Sequence, residues 1–168
     1  FTDQKDHMTL LKAVNLIKNE INFRLLIIGR GVNESLMKNY IINEELNKNI
    51  KILNFQKNPF KYLKLADLFV LSSKFEGLPN VLLEASTLKK FIISSNCPTG
   101  PKEILLNGNG GSLFKVGNYK ELSKKIIEFK KNKNKMKKKV NLNYNNLFRF
   151  NYDNNLKKYF NEINNIIK

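Results

Sequence analysis

Residues 67–87 read DLFVLSSKFEGLPNVLLEAST. The apolar run from Asp67 to Ser73 predicts a buried strand, and a loop with glycine and proline leads from it into a helix. Pro79 suits the first helical position because its missing N–H has no intrahelical partner there. The free amides of Asn80 and Val81 then point out of the helix N-terminus, where a phosphate is stabilised. This strand–loop–helix unit predicts a small-molecule site.

Two carboxylates flank these amides. Glu76 lies in the loop, and Glu84 lies further along the same helix. Carboxylates beside an anion-binding cluster of amides suit a ligand that carries both hydroxyls and phosphates, and a nucleotide sugar carries both. The simpler interpretation of Glu76 is that its carboxylate caps the helix. The two roles are compatible, because a negative charge is stabilising at a helix start.

Strands and helices alternate on both sides of this unit. Apolar runs predict strands at 23–29, 50–55, 67–72, 91–95 and, at an edge, 111–114. Helices are predicted at 5–20, 33–46 with Asn33 as cap, from Pro59, at 80–88, at 101–106 and at 118–131. This alternation predicts an α/β fold, a single Rossmann-like domain with a parallel sheet covered by helices.

Several polar or glycine positions follow the ends of the predicted strands. They are Gly29, Asn54, Gln56 and Glu76. Ligands of such sheets bind beyond the carboxyl ends of the strands. The sequence therefore predicts that these residues share one edge of the sheet and line one site there.

Length and composition bound the rest. The 168 residues, 42% of them hydrophobic, suffice for one domain with a core. No apolar run is long enough to span a bilayer, and no signal-peptide pattern is present. The chain begins at Phe1 without an initiator methionine, so we expect it to be a piece of a larger protein. The single cysteine, Cys97, excludes an internal disulfide and fits a reducing compartment.

The net charge of +16 raises the question of a polyanionic partner. The excess is nearly all lysine in a chain rich in asparagine and isoleucine, a profile typical of AT-rich coding sequences, so charge alone does not identify a ligand. The lysine-rich run 130–139 fits a solvated helix face, a linker or a patch for anionic lipid. The tail, 151–168, is predicted to be an amphipathic helix whose apolar face needs a cover, beyond a main domain at 1–150.

Three further features favour structural interpretations. Gly29-Arg30-Gly31 lacks the third glycine of a dinucleotide-binding fingerprint, since Glu34 stands in its place. His7, beside Asp6 at a helix start, is predicted to be structural or on the surface rather than catalytic. Cys97 is predicted to be a small packed residue at a strand end.

The run from Glu76 to Ala85 resembles the E-x7-E signature of retaining glycosyltransferases of the GT-B fold, in the glycosyl transferases group 1 class. Other segments resemble the same class in the same order. Residues 4–7 resemble the end of its G-R-x-x-x-x-K-D segment, and residues 26–31 its strand–glycine segment. Residues 97–105 resemble a variant common in enzymes that add hexoses or N-acetylhexosamines to bacterial surface glycans, and residues 111–118 its late G-x-L-F-x-x-G turn.

The resemblance implies a role for each matching residue. Glu76 is the carboxylate that contacts the hydroxyls of the transferred sugar, and Glu84 binds the nucleotide ribose, whose adjacent hydroxyls suit a carboxylate. Lys5 neutralises the diphosphate leaving group. Backbone at Gly77, Leu78, Pro79, Asn80 and Val81 holds sugar and phosphate, and the base lies against Gly29, Asn54 and Gln56. The family's partner arginine falls before Phe1.

The implied activity is transfer of a hexose or N-acetylhexosamine with retention, from a nucleotide diphosphate sugar, with a UDP-linked donor favoured. The acceptor would be a lipid-linked or bacterial surface glycan, such as lipopolysaccharide or capsule. No cofactor or metal is implied, and the sequence has no D-x-D pair. The acceptor and part of the chemistry belong to a separate N-terminal domain. We therefore expect this donor-binding half to be inactive alone, and the helix at 151–168 to pack back on that domain.

The expected location is cytoplasmic or peripheral to the inner membrane, with an anionic membrane surface as a candidate partner and no specific nucleic acid. Two alternatives stay open. One is a stand-alone nucleotide-sugar-binding module, and the other is a basic membrane- or polyanion-binding module without catalysis. The second predicts steep salt dependence and no preference for a nucleotide sugar.

Overall fold

A computed structural model describes residues 1–167. The five strands of this part are β1 (Leu25–Ile28), β2 (Ile50–Leu53), β3 (Leu68–Leu71), β4 (Phe91–Ser95) and β5 (Ser112–Phe114). The helices are α1 (His7–Leu16), α2 (Glu34–Asn43), α3 (Phe60–Leu65), α4 (Asn80–Thr87), α5 (Pro101–Ile104), α6 (Tyr119–Lys131), α7 (Lys133–Asn145) and α8 (Tyr152–Ile167). Short 3-10 turns lie at Leu106–Gly108 and Leu147–Phe150.

All strand pairs are parallel, as the alternation of strands and helices predicted. β1 pairs with β2, with Ile27 opposite Ile52. β4 lies between β3 and β5, with Ile93 opposite both Val70 and Ser112. Hydrogen bonding therefore divides the predicted sheet into a two-stranded and a three-stranded part. β1 and β3 both line a cavity of about 960 Å³, which lies between the two parts of the sheet.

Helices bury the apolar strands and complete the core. Every residue of β4 is buried, as expected for a strand that is covered on both faces. α1 contributes Leu11, Ala13 and Val14 to the core, and α6 contributes Leu122. A second cluster lies around Leu82 and Ile92. Full burial of a leucine-sized side chain stabilises a fold by about 1.5–3 kcal/mol, so these clusters hold the helices on the sheet.

Two predicted helix starts need correction. Asn33 precedes α2 as predicted, but its side chain makes no capping hydrogen bond. Its amide instead donates to Asp3 Oδ1 at 2.8 Å, because the N-terminal segment crosses at this point. Pro79 was predicted at the first helical position, but it lies one residue before α4 with an extended ψ of 90°. A backbone carbonyl of Pro79 still accepts the first bond of the helix, from Leu82 N at 2.8 Å.

The lysine-rich run is helical rather than a linker. It forms the end of α6 and the first half of α7, and most of its side chains are exposed. Met136 is buried. Lys139 is half-buried, and its Nζ donates to Gly108 O at 2.7 Å and Gly111 O at 2.8 Å. Nearby, the buried Asn143 donates from Nδ2 to Ser86 Oγ at 2.7 Å. These contacts fix α7 on the domain.

The tail forms the helix α8 where a helix was predicted at 151–168, although Lys168 lies outside the described residues. None of the described residues of α8 is buried. Its apolar side chains stay open to solvent, with Tyr159 66% and Ile166 82% exposed. Across residues 1–167, no helix combines the length and the apolar character that crossing a bilayer requires.

Candidate functional site

The site is built around the carboxylate of Glu76, in the loop between β3 and α4. Its side chain is only 8% exposed. Lys5 Nζ donates to Glu76 Oε1 at 2.7 Å, and Ser73 Oγ donates to the same oxygen at 2.6 Å. A cation and a hydroxyl therefore hold one carboxylate oxygen at the carboxyl end of β3. Hydrogen bonds to a charged group are the stronger kind, so this orientation is well defined.

Lys5 reaches Glu76 although 71 positions separate them in the sequence. The backbone on each side of Lys5 is tied to the end of β3. Lys74 N donates to Gln4 O at 2.7 Å, and Ser72 Oγ donates to Lys5 O at 2.9 Å. Gln4 Nε2 adds a bond to Phe75 O at 3.1 Å. The segment that precedes α1 is thus held beside the Glu76 loop, and this places the lysine.

A second loop, residues 97–101, supports the Glu76 loop from the end of β4. Thr99 Oγ1 donates to Glu76 O, and Ser95 Oγ donates to Ser73 O at 2.6 Å. Gly100 has φ of 82°, and a Cβ at this position would lie 2.6 Å from Gly77 O. The two loops can pack this closely because glycine lacks that atom and tolerates the left-handed backbone. Sequence analysis did not single out Ser73, Ser95 or Thr99, although Ser73 stands only three residues before Glu76.

Glu84 lines the cavity between β1 and β3, whereas Glu76 does not. The cavity is lined by five of the predicted site residues, namely Lys5, Gly29, Gln56, Val81 and Glu84. Glu84 is half-buried on α4, so its carboxylate keeps access to solvent and to a ligand. Gln56 is oriented by Tyr62, whose hydroxyl donates to Gln56 Oε1 at 3.0 Å. Gly29, at the end of β1, has φ of 143° and lies against the ring of Phe1.

The remaining predicted residues lie near this cavity but outside the wall formed by the described residues. Asn54 is exposed after β2, and its carbonyl accepts a hydrogen bond from Gln56 Nε2 at 3.1 Å. Gly77, Leu78 and Asn80 are exposed in the loop and at the start of α4. Pro79 is buried against Gly100. The amides of Asn80 and Val81 precede the first intrahelical bond of α4, so they are placed to donate to an anion.

Two titratable groups near the site are neutral by environment. Burial raises the pKa of the Cys97 thiol, and the nearby Glu76 carboxylate raises it further. Cys97 is 3% exposed, so its side chain is packed as predicted, and both its burial and its raised pKa disfavour the reactive thiolate. Burial lowers the pKa of His7, and the nearby Lys5 ammonium lowers it further. Its ring packs edge-on against Phe1 with 5.1 Å between centroids, which fits the structural role.

The arrangement offers groups that can recognise an anion and hydroxyls. Within residues 1–167, His, Cys, Asp and Glu side chains form no group of three or more that could hold a metal ion. The Lys5 cation, the start of α4 and the carboxylates of Glu76 and Glu84 suit a ligand with both phosphates and hydroxyls.

Comparison with known proteins shows similarity to glycosyltransferases. A family model described as "Glycosyl transferases group 1" matches residues 1–146. An uncharacterized glycosyltransferase of Methanocaldococcus jannaschii is 40% identical over 105 residues, 62% of this chain and 26% of that protein. An N-acetylgalactosamine-N,N'-diacetylbacillosaminyl-diphospho-undecaprenol 4-alpha-N-acetylgalactosaminyltransferase of Campylobacter jejuni is 29% identical over 114 residues, 68% of this chain and 31% of that protein. The chain thus spans about a quarter to a third of these relatives.

Solved structures establish the fold. A structure of a mutant of S. aureus TarM in complex with Fondaparinux, alpha-GlcNAc-glycerol and UDP superposes with a TM-score of 0.87 and 21% identity, covering 94% of this chain and 32% of that one. The mixed α/β architecture, with parallel sheets flanked by helices, matches the C-terminal domains of GT-B glycosyltransferases. The predicted fold class is confirmed.

Proposed function

The chain belongs to the glycosyl transferases group 1 family, and from this membership and the site geometry we propose that it is the donor-binding domain of a retaining glycosyltransferase. The observation that carries the proposal is the Lys5–Glu76 pair at 2.7 Å beside a cavity that Glu84 lines. A buried carboxylate, a cation and a second carboxylate match the sugar, the diphosphate and the ribose of one ligand. The donor is a UDP-linked hexose or N-acetylhexosamine, which the UDP in the TarM structure supports.

In this proposal each side chain or amide of the site contacts the part of the donor that complements its charge or its hydrogen-bonding capacity. Lys5 and the amides of Asn80 and Val81 stabilise the negative charge that grows on the diphosphate as the glycosidic bond breaks. Glu84 accepts hydrogen bonds from the two ribose hydroxyls. Glu76 orients the sugar and stabilises positive charge near its anomeric carbon. The acceptor hydroxyl attacks from the face that the phosphate leaves, the phosphate takes its proton, and no metal takes part.

The acceptor is proposed to be a lipid-linked or surface glycan. The Campylobacter relative carries diphospho-undecaprenol in the name of its substrate, and a relative of Staphylococcus aureus is named for capsular polysaccharide biosynthesis. The exposed lysines of α6 and α7 would face an anionic membrane from the cytoplasmic side. Sedimentation with phosphatidylglycerol vesicles tests the proposed contact of these lysines with an anionic membrane. Binding should weaken as the salt concentration rises, and equal binding to neutral vesicles contradicts the contact.

Calorimetric titration of this chain with UDP, GDP and UDP-N-acetylglucosamine tests the donor site. We expect uridine-selective binding that Glu84→Ala weakens by roughly tenfold or more, since a charged hydrogen bond contributes about 1.5–3 kcal/mol. Glu162→Ala, which removes the same charge from the exposed face of α8, is the matched control. Equal, steeply salt-dependent binding of all polyanions would instead support a basic polyanion-binding module.

We propose that this chain is part of a longer protein with an N-terminal domain, and experiments on that longer protein would separate the remaining alternatives. If it transfers sugar from a UDP-sugar, NMR of the product shows whether the anomeric configuration is retained, and a parallel reaction in EDTA tests the proposed independence of metal. Binding of UDP-sugar without transfer or donor hydrolysis would favour a nucleotide-sugar-binding module. Loss of UDP binding in both this chain and the longer protein would overturn the donor-site proposal.

A further inference from the structure

We propose that Ser73 is a positioning residue that keeps Glu76 in its sugar-facing orientation when a donor takes Lys5 away. The inference rests on the proposed function and adds a residue to it. Ser73 is fully buried at the end of β3, and its hydroxyl donates to Glu76 Oε1 at 2.6 Å. The hydrogen bonds that the described residues make to this carboxylate both use Oε1, so Oε2 is the oxygen offered to a sugar hydroxyl.

Lys5 and Ser73 hold the same oxygen but differ in freedom. The Lys5 side chain is 41% exposed and long, so it can turn toward a diphosphate. Its three N–H groups and full charge make it the natural partner of the leaving group. Ser73 is 0% exposed and short, so its hydroxyl has no such alternative. When the lysine is drawn to the phosphates, the serine bond remains and holds the carboxylate in place.

The backbone of Ser73 is itself fixed. Ser95, fully buried at the end of β4, donates from Oγ to Ser73 O at 2.6 Å. Thr99 Oγ1 donates to the backbone carbonyl of Glu76. Hydroxyls from the end of β4 and the loop beyond it therefore anchor the backbone of both residues of the Ser73–Glu76 pair. A catalytic group must be held within a fraction of an ångström, and such a supporting shell provides that.

A double-mutant cycle in the longer protein tests the inference. The variants are Ser73→Ala, Glu76→Ala and their combination, with UDP release from UDP-sugars measured in the presence of water as acceptor. UDP-glucose and UDP-N-acetylglucosamine are the two donors tried. Ser123→Ala is the control, because it removes a buried hydroxyl that donates to Lys120 O in α6.

If Ser73 acts through Glu76, Ser73→Ala lowers kcat roughly tenfold or more, as loss of a bond to a charged group implies. The affinity for UDP stays within about twofold of the wild type, because neither residue contacts the nucleotide. In the Glu76→Ala background, removing Ser73 changes kcat by no more than about twofold, since nothing is left to position. Ser123→Ala keeps the kcat of the wild type.

Other outcomes overturn the inference. Independent, multiplicative losses in the double variant mean that Ser73 acts on something other than Glu76. A fall in UDP affinity together with a lower melting temperature means that the hydroxyl is only structural. Wild-type kcat in Ser73→Ala overturns the inference while leaving the donor site intact. A wild-type protein that binds no UDP overturns the proposed function as well, and the two failures are thereby distinguished.

Discussion

The Glu76 loop and helix α8 differ in how they are held: the loop has many contacts with distant segments, and the helix has no buried residue among those described. The loop is short and irregular, yet Lys5, Ser73 and Thr99 all bond to Glu76. Helix α8 is regular over 16 residues, yet none of its described residues is buried. Regular secondary structure therefore does not identify the fixed part of this molecule. Long-range contacts do, because most of the stability of a segment comes from what it packs against.

The difference also bears on function. A loop held from the segment before α1 and from the end of β4 is pre-organised before any ligand arrives. Preorganised groups stabilise developing charge without reorganising during the reaction. An amphipathic helix with an open apolar face is instead prepared for a partner surface. The resemblance predicts that this surface belongs to an N-terminal domain, and the contacts that hold the Glu76 loop do not involve α8.

The largest expected effect comes from forcing the two loops apart with Gly100→Ala. The added methyl would strike Pro79 and Gly77 and would also impose a left-handed backbone on alanine. We expect the free energy of unfolding to fall by about 2–4 kcal/mol, the sum of steric and backbone strain. Urea denaturation monitored by circular dichroism measures it.

Gly117→Ala is the matched control for that change. Gly117 has φ of 73°, similar to Gly100, but a Cβ there would meet nothing within 4 Å among the described residues. Only the backbone term remains, and a loss of about 1–2 kcal/mol is expected. Equal losses in the two variants would show that the loops yield freely and that the close packing does not fix Glu76.

The next largest effect is expected in α7, where a lysine that bonds to the domain can be compared with an exposed neighbouring lysine. Lys139→Ala removes the two bonds from Nζ to Gly108 O and Gly111 O, and we expect a loss of about 1–2 kcal/mol. Lys138→Ala, at the exposed neighbouring position, should change the free energy of unfolding by less than about 0.5 kcal/mol. If both variants match the wild type, the anchoring of α7 comes from Asn143 and Met136 and not from lysine.

Local patterns predicted most of the fold. The apolar runs of β1, β3 and β4 lie where sequence placed them, because buried parallel strands are continuous apolar segments. The loop with Glu76 was also visible, since its glycine and proline follow a strand directly. Helix starts were less predictable. Asn33 has the right residue type for a cap, but a bond to Asp3 competes for its side chain.

Contacts between distant segments could not be predicted from local patterns. Lys5 and Glu76 are 71 positions apart, and Thr99 and Glu76 are 23 apart, so no periodicity joins them. The bond from Lys139 to Gly108 O could not be predicted, because the lysine-rich run gives no signal that distinguishes Lys139 from its neighbours. The division of the sheet also has no local signature, because β1 and β3 each look like ordinary buried strands. Local sequence patterns predict each helix or strand, but they do not predict which distant residues that helix or strand contacts.

The smallest expected effect is on the other side of the comparison, in α8. Ending the chain at Asn151 removes a helix with no buried residue among those described, so the free energy of unfolding should change by less than about 0.5 kcal/mol. In the longer protein the same truncation should lower sugar transfer if the apolar face of α8 packs on an N-terminal domain, because domain closure would be weakened. Denaturation of the short chain and transfer by the long one measure the two arms. A large loss of stability in the short chain would mean that α8 packs on this domain in solution, and its apolar face would then have no role in joining domains.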